Sequence, residues 1–277
     1  MNQDRENRLP ASADPRSTAE LIRLALEALD EDAAWKYISI LRGRGDHEVL
    51  DAALALCNSA ATQERKLGAQ LLGQLGTPGK GFPDACFGGL AGLLGRETHE
   101  DVIAAIAFAL GHLDDSRCVD LLLSLKGHPS PAVRFGVVNA ISGQNHPAAI
   151  QTLIELSRDP DQETRDWATF GLGTFIETDS EEIRDALADR LQDSCEETAH
   201  EALIGLARRK DRRALEPLLE ALSAGEPSAM HIEAAMALGD AALLPALMAI
   251  KGHLADHFSA EAEFLDKAIA NCQKSGE

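Results

Sequence analysis

The sequence predicts an all-α fold in which about seven helix pairs stack into a right-handed α-solenoid, a superhelix. The first observation is a repeat, because apolar segments that end on a Leu-Gly-like pair recur at spacings of 31 to 38 residues. The second is that the stretches between them carry Leu, Ile or Val at the three- and four-residue spacing of amphipathic helices. The third is composition: 45% of the residues are hydrophobic and only 4% aromatic, which suits closely packed helices.

The repeated segments fall into register on one apolar anchor residue near the end of the second helix of each pair. The anchors are Leu41, Leu72, Leu110, Ile141, Leu172, Leu206 and Leu238. Proline or a polar capping residue often precedes a helix, as in NHPAAI and SRDPDQETR. We therefore expect the solenoid to span residues 17–272. A disordered leader over 1–16, ending near the capping residue Ser17, would precede it, and a short tail over 273–277 would follow.

One repeat contains the pattern D-P-x-x-x-x-R-x-x-A-x-x-x-L-G. Its residues are Asp159, Pro160, Arg165, Ala168, Leu172 and Gly173, and parts of the pattern recur around other anchors. The pattern resembles HEAT repeats of the short bacterial type, which also occur in phycobilin lyases, and the resemblance covers about residues 30–255. It implies an architecture and no particular activity, because such folds carry unrelated functions.

Arginine precedes three of the anchors by the same number of residues, at Arg65, Arg134 and Arg165. Basic side chains satisfy the carbonyl groups at helix C-termini and pair with nearby acids. We therefore expect this arginine column to be structural, with each guanidinium bound to an acid between repeats or to a helix end.

One spacing is longer than the others because it contains the stretch LGTPGKGFPDACFGG. The glycines of GTPGKG are typical of phosphate-binding loops, but the stretch lacks G-x-x-x-x-G-K-[ST] and no strand precedes it. We expect a mobile loop over Gly76–Phe82 without a phosphate site.

Charge and composition exclude several classes of protein. The net charge of −19 disfavours nucleic acid and anionic membranes, which are bound through Lys and Arg. The chain has no apolar run long enough to span a bilayer, and its N-terminal stretch lacks the apolar core of a signal peptide. Five widely spaced cysteines without a C-x-x-C motif argue against disulfides and structural zinc and predict a cytoplasmic protein.

His-Glu pairs suggest one enzymatic alternative. Deoxyhypusine hydroxylases resemble HEAT-repeat proteins and hold two irons with paired His-Glu motifs. Here His200–Glu201 lies in a suitable helix, with His231 and Glu233 in the next repeat. The pairs in the N-terminal half, at residues 47–48 and 99–100, fall near helix starts and out of register. We therefore predict no metal and no cofactor.

The candidate site is a surface for a protein partner. In HEAT-like solenoids the second helix of each repeat lines the concave face, and its outward positions are six, five and two residues before the anchor and two after it. The predicted partner-binding residues are Trp35, Phe108, His112, Phe135, Asn139, Asp166, Trp167, Phe170, His200 and Arg208. Both tryptophans fall in this set, and aromatic side chains dominate binding hot spots. The alternative is that these aromatic side chains pack between neighbouring helices.

Charge and a second resemblance indicate the partner. Between Glu155 and Glu201 there are fifteen acids and four arginines, a local balance of 4 − 15 = −11 that would attract a basic protein. The sequence RDWATFGLG…IRDALADRL…EALIGLARRKDRRALEPLLEAL resembles HEAT-repeat proteins that accompany bacterial polymorphic toxins. It implies a non-catalytic immunity protein that occludes a basic toxin domain, such as a nuclease. A generic scaffold or adaptor, and a lyase-type or metal-dependent enzyme, stay open as alternatives.

Overall fold

The structure is a computed structural model that describes residues 14–76, 81–113, 115–224, 228–254 and 260–274. All regular elements in these ranges are helical, which confirms the all-α prediction. None of the described helices combines the length and the apolar character that crossing a bilayer requires. Most of the predicted leader, the centre of the predicted Gly76–Phe82 loop and the last three residues of the predicted tail lie outside the described residues.

The chain divides into two compact units, Met1–Ile141 and Ser142–Glu277. In its described part the first unit contains α1 (Thr18–Leu26), α2 (Glu31–Arg44), α3 (His47–Cys57), α4 (Thr62–Leu75), α5 (Pro83–Leu94), α6 (Glu100–Gly111), α7 (Arg117–Leu123) and α8 (Pro131–Ile141). The hydroxyl of Ser17 accepts a hydrogen bond from the Glu20 N–H at 3.2 Å, so Ser17 caps α1 as predicted. Helix α4 packs on α6 and α6 on α8, which makes a stack of the second helices of successive pairs.

The second unit repeats this arrangement. Its described part contains α9 (Pro147–Leu156), α10 (Gln162–Phe170), a π-helix (Gly171–Phe175), α11 (Glu181–Ala188), α12 (Glu196–Arg208), α13 (Leu215–Ser223), α14 (Ala229–Leu238), α15 (Leu244–Leu254) and α16 (Ala260–Lys274). Two 3₁₀ turns precede α13 and α15, at Arg212–Ala214 and Ala241–Leu243. Helices α10, α12, α14 and α16 pack one on the next. The last helix runs to Lys274, two residues into the stretch predicted as a tail.

The anchor residues form the core of both units. All seven are buried, and six of them end or nearly end an α-helix, while Leu172 lies in the π-helix. Burying a leucine or isoleucine side chain stabilises a fold by about 1.5–3 kcal/mol. The repeat found in the sequence is therefore the repeat of the hydrophobic core.

The glycine of the Leu-Gly pair lets successive repeats approach closely. A Cβ atom at Gly73 would lie 2.7 Å from the Cα atom of Ala109, and one at Gly111 would lie 2.7 Å from the Cα atom of Ala140. In the second unit a Cβ atom at Gly205 would lie 2.7 Å from the Cα atom of Gly173. Each contact joins the residue after one anchor to the residue before the next, so both positions need small side chains.

The arginine column has the structural role that the sequence predicts. Arg65 binds Glu97, the acid before the next second helix, at 2.7 Å, and Arg165 binds Asp193 at 2.8 Å. Arg134 donates to the carbonyl oxygens of His128 and Pro129, at 2.8 Å and 3.1 Å. Arg65 and Arg165 make the same kind of bond, to the carbonyl oxygens of Ala60 at 2.8 Å and Asp159 at 2.9 Å, so each arginine ties its helix to the turn before it.

Candidate functional site

The ten predicted partner-binding residues all keep solvent exposure. His112, Asn139 and Arg208 are exposed, and the other seven, including both tryptophans, are partly exposed. The position five residues before the anchor varies along the chain. Leu67, Ala105 and Gly136 are buried there, whereas Lys36 is exposed and Trp167, Glu201 and Glu233 are partly exposed. This position therefore contributes to the accessible surface mainly in the second unit.

In the first unit, Trp35, Phe108 and His112 line one pocket of about 400 Å³, which we call the first-unit pocket. The rest of its wall comes from Glu31, Lys66, Gln70, Gln74, Asp101 and the alanines 104, 105, 109 and 132. Small alanine side chains on α6 leave the space that the aromatic rings border. The ring of Phe135 meets that of Phe108 edge to face, with centroids 5.7 Å apart, and continues the aromatic surface onto α8.

The wall of the first-unit pocket contains one ion pair, and the exposed Asp101 adds a further negative charge. The Lys66 ammonium lies 3.7 Å from the Glu31 carboxylate, and the Gln70 amide donates to the same carboxylate at 3.4 Å. Trp35 therefore lies in the same pocket as the ion pair of Glu31 and Lys66.

In the second unit, three rings form a continuous series that we call the aromatic ladder: Trp167, Phe170 and Phe175. The centroids of Trp167 and Phe170 lie 5.6 Å apart and those of Phe170 and Phe175 lie 4.9 Å apart, both pairs edge to face. Phe175 is 49% exposed, which makes the ladder end in solvent. Large exposed aromatic groups of this kind mark interaction surfaces more often than isolated apolar residues do.

The π-helix explains how Phe175 reaches Phe170. In this segment the Ile176 N–H donates to the Gly171 carbonyl oxygen five residues earlier, at 3.1 Å. A π-turn holds more residues than an α-turn, so residues five apart come to the same face. Phe170 and Phe175 are five apart. Single π-turns of this type are frequent at functional sites.

Two carboxylates flank the ladder. Asp166 precedes Trp167 and lies one helical turn before Phe170, and its carboxylate accepts a hydrogen bond from the Thr198 hydroxyl at 3.2 Å. Burial raises the pKa of Asp166 above its ordinary value, and the nearby charges of Glu197 and Asp193 add to the rise. Burial also raises the pKa of Glu201, with the neighbouring Asp166 as the next cause. Both groups hold their negative charge partly out of water.

The remaining predicted residues of the second unit join a polar network. Arg208 donates to the Thr174 hydroxyl at 3.1 Å and to the Glu233 carboxylate at 3.0 Å. The ring of His200 lies edge to face against that of His231, with centroids 4.9 Å apart. Burial, followed by the neighbouring His200, lowers the pKa of His231. Arg208 forms its ion pair with Glu233, and its nearby charge partly offsets the rise in the pKa of Glu201. Among the described residues neither Asp166 nor Glu201 forms an ion pair of its own.

A family model described as HEAT repeats matches residues 89–173 and 154–239, which together span more than half of the chain. The chain belongs to the HEAT-repeat family. Protein YibA of Escherichia coli K12 is 32% identical to it over 241 residues, which cover 82% of each chain. The X-ray structure of E. coli YibA matches with a TM-score of 0.78 and 28% identity, over 94% of this chain and 93% of that chain.

Two more distant solved structures share the fold alone. An engineered protein matches with a TM-score of 0.57 and 16% identity, over 92% of this chain and 78% of its own. A chain of the S. pombe condensin Cnd3–Cnd2 subcomplex matches with a TM-score of 0.57 and 18% identity, over 92% of this chain and 37% of its own. Together with the family match, these likenesses confirm the predicted α-solenoid of HEAT repeats.

Two of the side chains that a dimetal HEAT-repeat enzyme would use have other partners here. The Nδ1 atom of His231 lies 3.1 Å from the Ser228 hydroxyl, and Glu233 accepts from Arg208. Among the described residues, no three His, Cys, Asp or Glu side chains lie close enough together to hold a metal ion. The structure offers no positive evidence for catalysis at this cluster.

Sequence reasoning missed three residues of the second-unit HEAT repeats. Phe175 lies three residues after its anchor, one position beyond the pattern used, and only the π-helix brings it to the surface formed by Phe170. Glu201 and Glu233 were considered only as metal ligands. Both stand five residues before an anchor, the position of Trp167, so the repeat register itself contained the signal that links them to the ladder.

Proposed function

We propose that this HEAT-repeat protein is a non-catalytic module that binds another protein. We propose further that its partner is a basic bacterial toxin domain, which it neutralises in the cytoplasm as an immunity protein.

The position of the aromatic side chains carries the proposal. The chain has eleven aromatic residues, from eight Phe, two Trp and one Tyr. All ten of them that the structure describes keep solvent exposure, and six of these lie in two groups: Trp35, Phe108 and Phe135 at the first-unit pocket, and Trp167, Phe170 and Phe175 in the aromatic ladder. A chain with so few aromatic side chains would place them in its core if stability alone selected their positions, because they bury the most apolar area. Exposed aromatic groups are instead typical of binding hot spots.

Charge supports a basic partner. The chain carries a net charge of −19, and the ladder lies within the segment Glu155–Glu201 with its local balance of 4 − 15 = −11. Complementary charge steers a partner toward its site and suppresses like-charged competitors. Nuclease toxins are basic because they bind phosphate backbones, so an acidic surface with aromatic anchors suits the occlusion of such a domain.

The test starts with the full-length protein as bait. Affinity capture from the native host, followed by mass spectrometry, should return a basic protein, and the purified pair should form a salt-sensitive complex. Expression of the captured protein alone should then arrest cell growth, and co-expression of the HEAT-repeat protein should restore it. A captured partner that harms no cell would refute the toxin step and favour the scaffold alternative. An acidic partner, or none, would refute the proposal as a whole.

A further inference from the structure

The aromatic ladder and the first-unit pocket are different kinds of surface. The pocket holds the ion pair of Lys66 and Glu31 in its wall, whereas the ladder ends in the exposed ring of Phe175 and has beside it two carboxylates that form no ion pair within the described residues. The ladder therefore presents apolar surface and negative charge together.

The carboxylates face the same helix surface as the rings. Asp166 and Phe170 are four residues apart on α10, a spacing that places side chains on one face. Glu201 lies on α12, which packs against α10, and the charge of Asp166 is close enough to raise the pKa of Glu201. Thr198 donates a neutral hydrogen bond to Asp166, and the charges of Arg165 and Arg208 only partly offset the rise in the pKa values of Asp166 and Glu201.

A cation brought by a partner would remove this unfavourable arrangement. Coulombic repulsion between two partly desolvated carboxylates falls when an arginine or lysine side chain lies between them, and a guanidinium can also pack on an aromatic ring. Apolar side chains on either side of that cation would cover Phe170 and Phe175. The chemistry of the occupant thus follows from the surface: basic residues alternating with aliphatic ones.

We propose that the aromatic ladder of the second unit docks a segment of the partner in which arginine or lysine alternates with aliphatic residues. The aliphatic side chains pack on Phe170 and Phe175, and the basic side chain binds Asp166 and Glu201. This inference rests on the proposed function, because it names the chemistry by which the partner is recognised.

The test uses Trp167 as a reporter inside the ladder. Trp35→Phe leaves Trp167 as the only tryptophan, so its fluorescence reports on the second unit alone. The probe is a short synthetic peptide that alternates Arg with Leu. It is compared with a charge-reversed peptide of Glu and Leu and with a peptide of Arg and Gly that lacks the aliphatic side chains. We expect the Arg-Leu peptide to shift the Trp167 emission saturably and to bind about tenfold more tightly than either comparison peptide.

Matched variants in the same background locate the site. Phe175→Ser should weaken Arg-Leu binding about tenfold, while Phe264→Ser, which changes another exposed phenylalanine in α16, should leave it unchanged. Glu201→Gln should weaken it about threefold and reduce its salt dependence, whereas Glu163→Gln, at an exposed position in the first turn of α10, should not. Thermal melts of each variant establish that the fold is retained.

Three outcomes would overturn the inference. Equal binding of the charge-reversed peptide would refute the chemistry, and undiminished binding by a folded Phe175→Ser variant would refute the location. If Trp167 does not respond but Trp35 does, in the converse Trp167→Phe variant, the peptide binds in the first unit. That last result would rule out the ladder as the docking site. It would not refute the proposed function, because the capture experiment tests the function with the natural partner.

Discussion

The two units differ at one repeat position. Five residues before the anchor, the first unit has Leu67, Ala105 and Gly136, all buried in helix packing, and an exposed Lys36 in its first pair. At this position the second unit has Trp167, Glu201 and Glu233, which are larger or charged and stay partly exposed. Packing between repeats selects for small or aliphatic side chains, so the whole second unit departs from a requirement that three of the four first-unit repeats satisfy. Such departures from a repeat's own rule are where function is expected.

Charge separates the units in the same way. In the first unit Glu31 is engaged by both Lys66 and Gln70. In the second unit Arg208 binds Glu233, and Asp166 and Glu201 form no ion pair within the described residues. A carboxylate of the first-unit pocket therefore has its basic partner in the pocket, whereas the two carboxylates beside the aromatic ladder do not.

Truncation of the buried Leu67 in the first unit should have the strongest effect on stability. Leu67→Ala should lower the free energy of unfolding by about 2–5 kcal/mol, because it removes a buried side chain and leaves a cavity between repeats. Chemical denaturation checks this, and partner binding by the folded fraction should not change. A loss below about 0.5 kcal/mol would show that the position is not a packing position and that the two units do not differ as described.

Trp167 stands at the equivalent position in the second unit and should respond in the opposite sense. Trp167→Ala and Phe170→Ala should each weaken partner binding by about 2 kcal/mol or more, as truncation of hot-spot aromatics does, while the melting temperature falls little. A titration with the partner and a thermal melt of each variant distinguish a binding role from a core role. Losses of about 3–5 kcal/mol in folding stability with unchanged affinity would show that these rings are core residues.

The two units also differ in how much of their structure can be predicted from the sequence. The anchors, the close-packing glycines and the arginine pairs repeat with the period, and each follows from a local pattern that the sequence displays. The π-helix does not follow from such a pattern. Gly171 and Gly173 resemble the small residues around other anchors, and the geometry of the π-helix depends on tertiary neighbours. A Cβ atom at Gly171 would lie 2.8 Å from the Ser142 hydroxyl, and one at Gly173 would lie 2.9 Å from the Glu201 carbonyl oxygen. Without that segment Phe175 cannot be placed beside Phe170.

The arginine–carboxylate pairs should contribute to stability in the same way in both units. Arg65 lowers the pKa of Glu97 from 4.5 to about 2, chiefly through its hydrogen bonds, and Arg165 likewise lowers the pKa of Asp193. A carboxyl whose folded pKa is depressed stabilises the fold above its unfolded pKa, and this stabilisation is lost as the pH falls toward the folded pKa. Arg65→Met and Arg165→Met should therefore each move acid unfolding to higher pH and lower the melting temperature at neutral pH by a few degrees. An acid transition unchanged in either variant would show that the corresponding pair contributes nothing.

Neutralising Glu201 should have a small effect that isolates the partly buried negative charge of the second unit. The pKa of Glu201 is raised above its ordinary value of 4.5 by burial and then by Asp166, so the folded state binds the proton more tightly than the unfolded state does. The stability that this proton contributes is present below the unfolded pKa and is lost as the pH rises through the folded pKa. At neutral pH Glu201→Gln removes a charge that the fold holds unfavourably, and the free energy of unfolding should rise by about 0.5–1 kcal/mol. At about pH 4 the difference from the wild type should shrink, because the wild-type carboxyl is then largely protonated.

Urea denaturation at the two pH values measures both quantities, with the exposed Glu163→Gln as the control. A Glu201→Gln variant that is less stable at neutral pH would mean that the carboxylate is compensated within the chain, and the argument that the ladder needs a cation from a partner would fail with it.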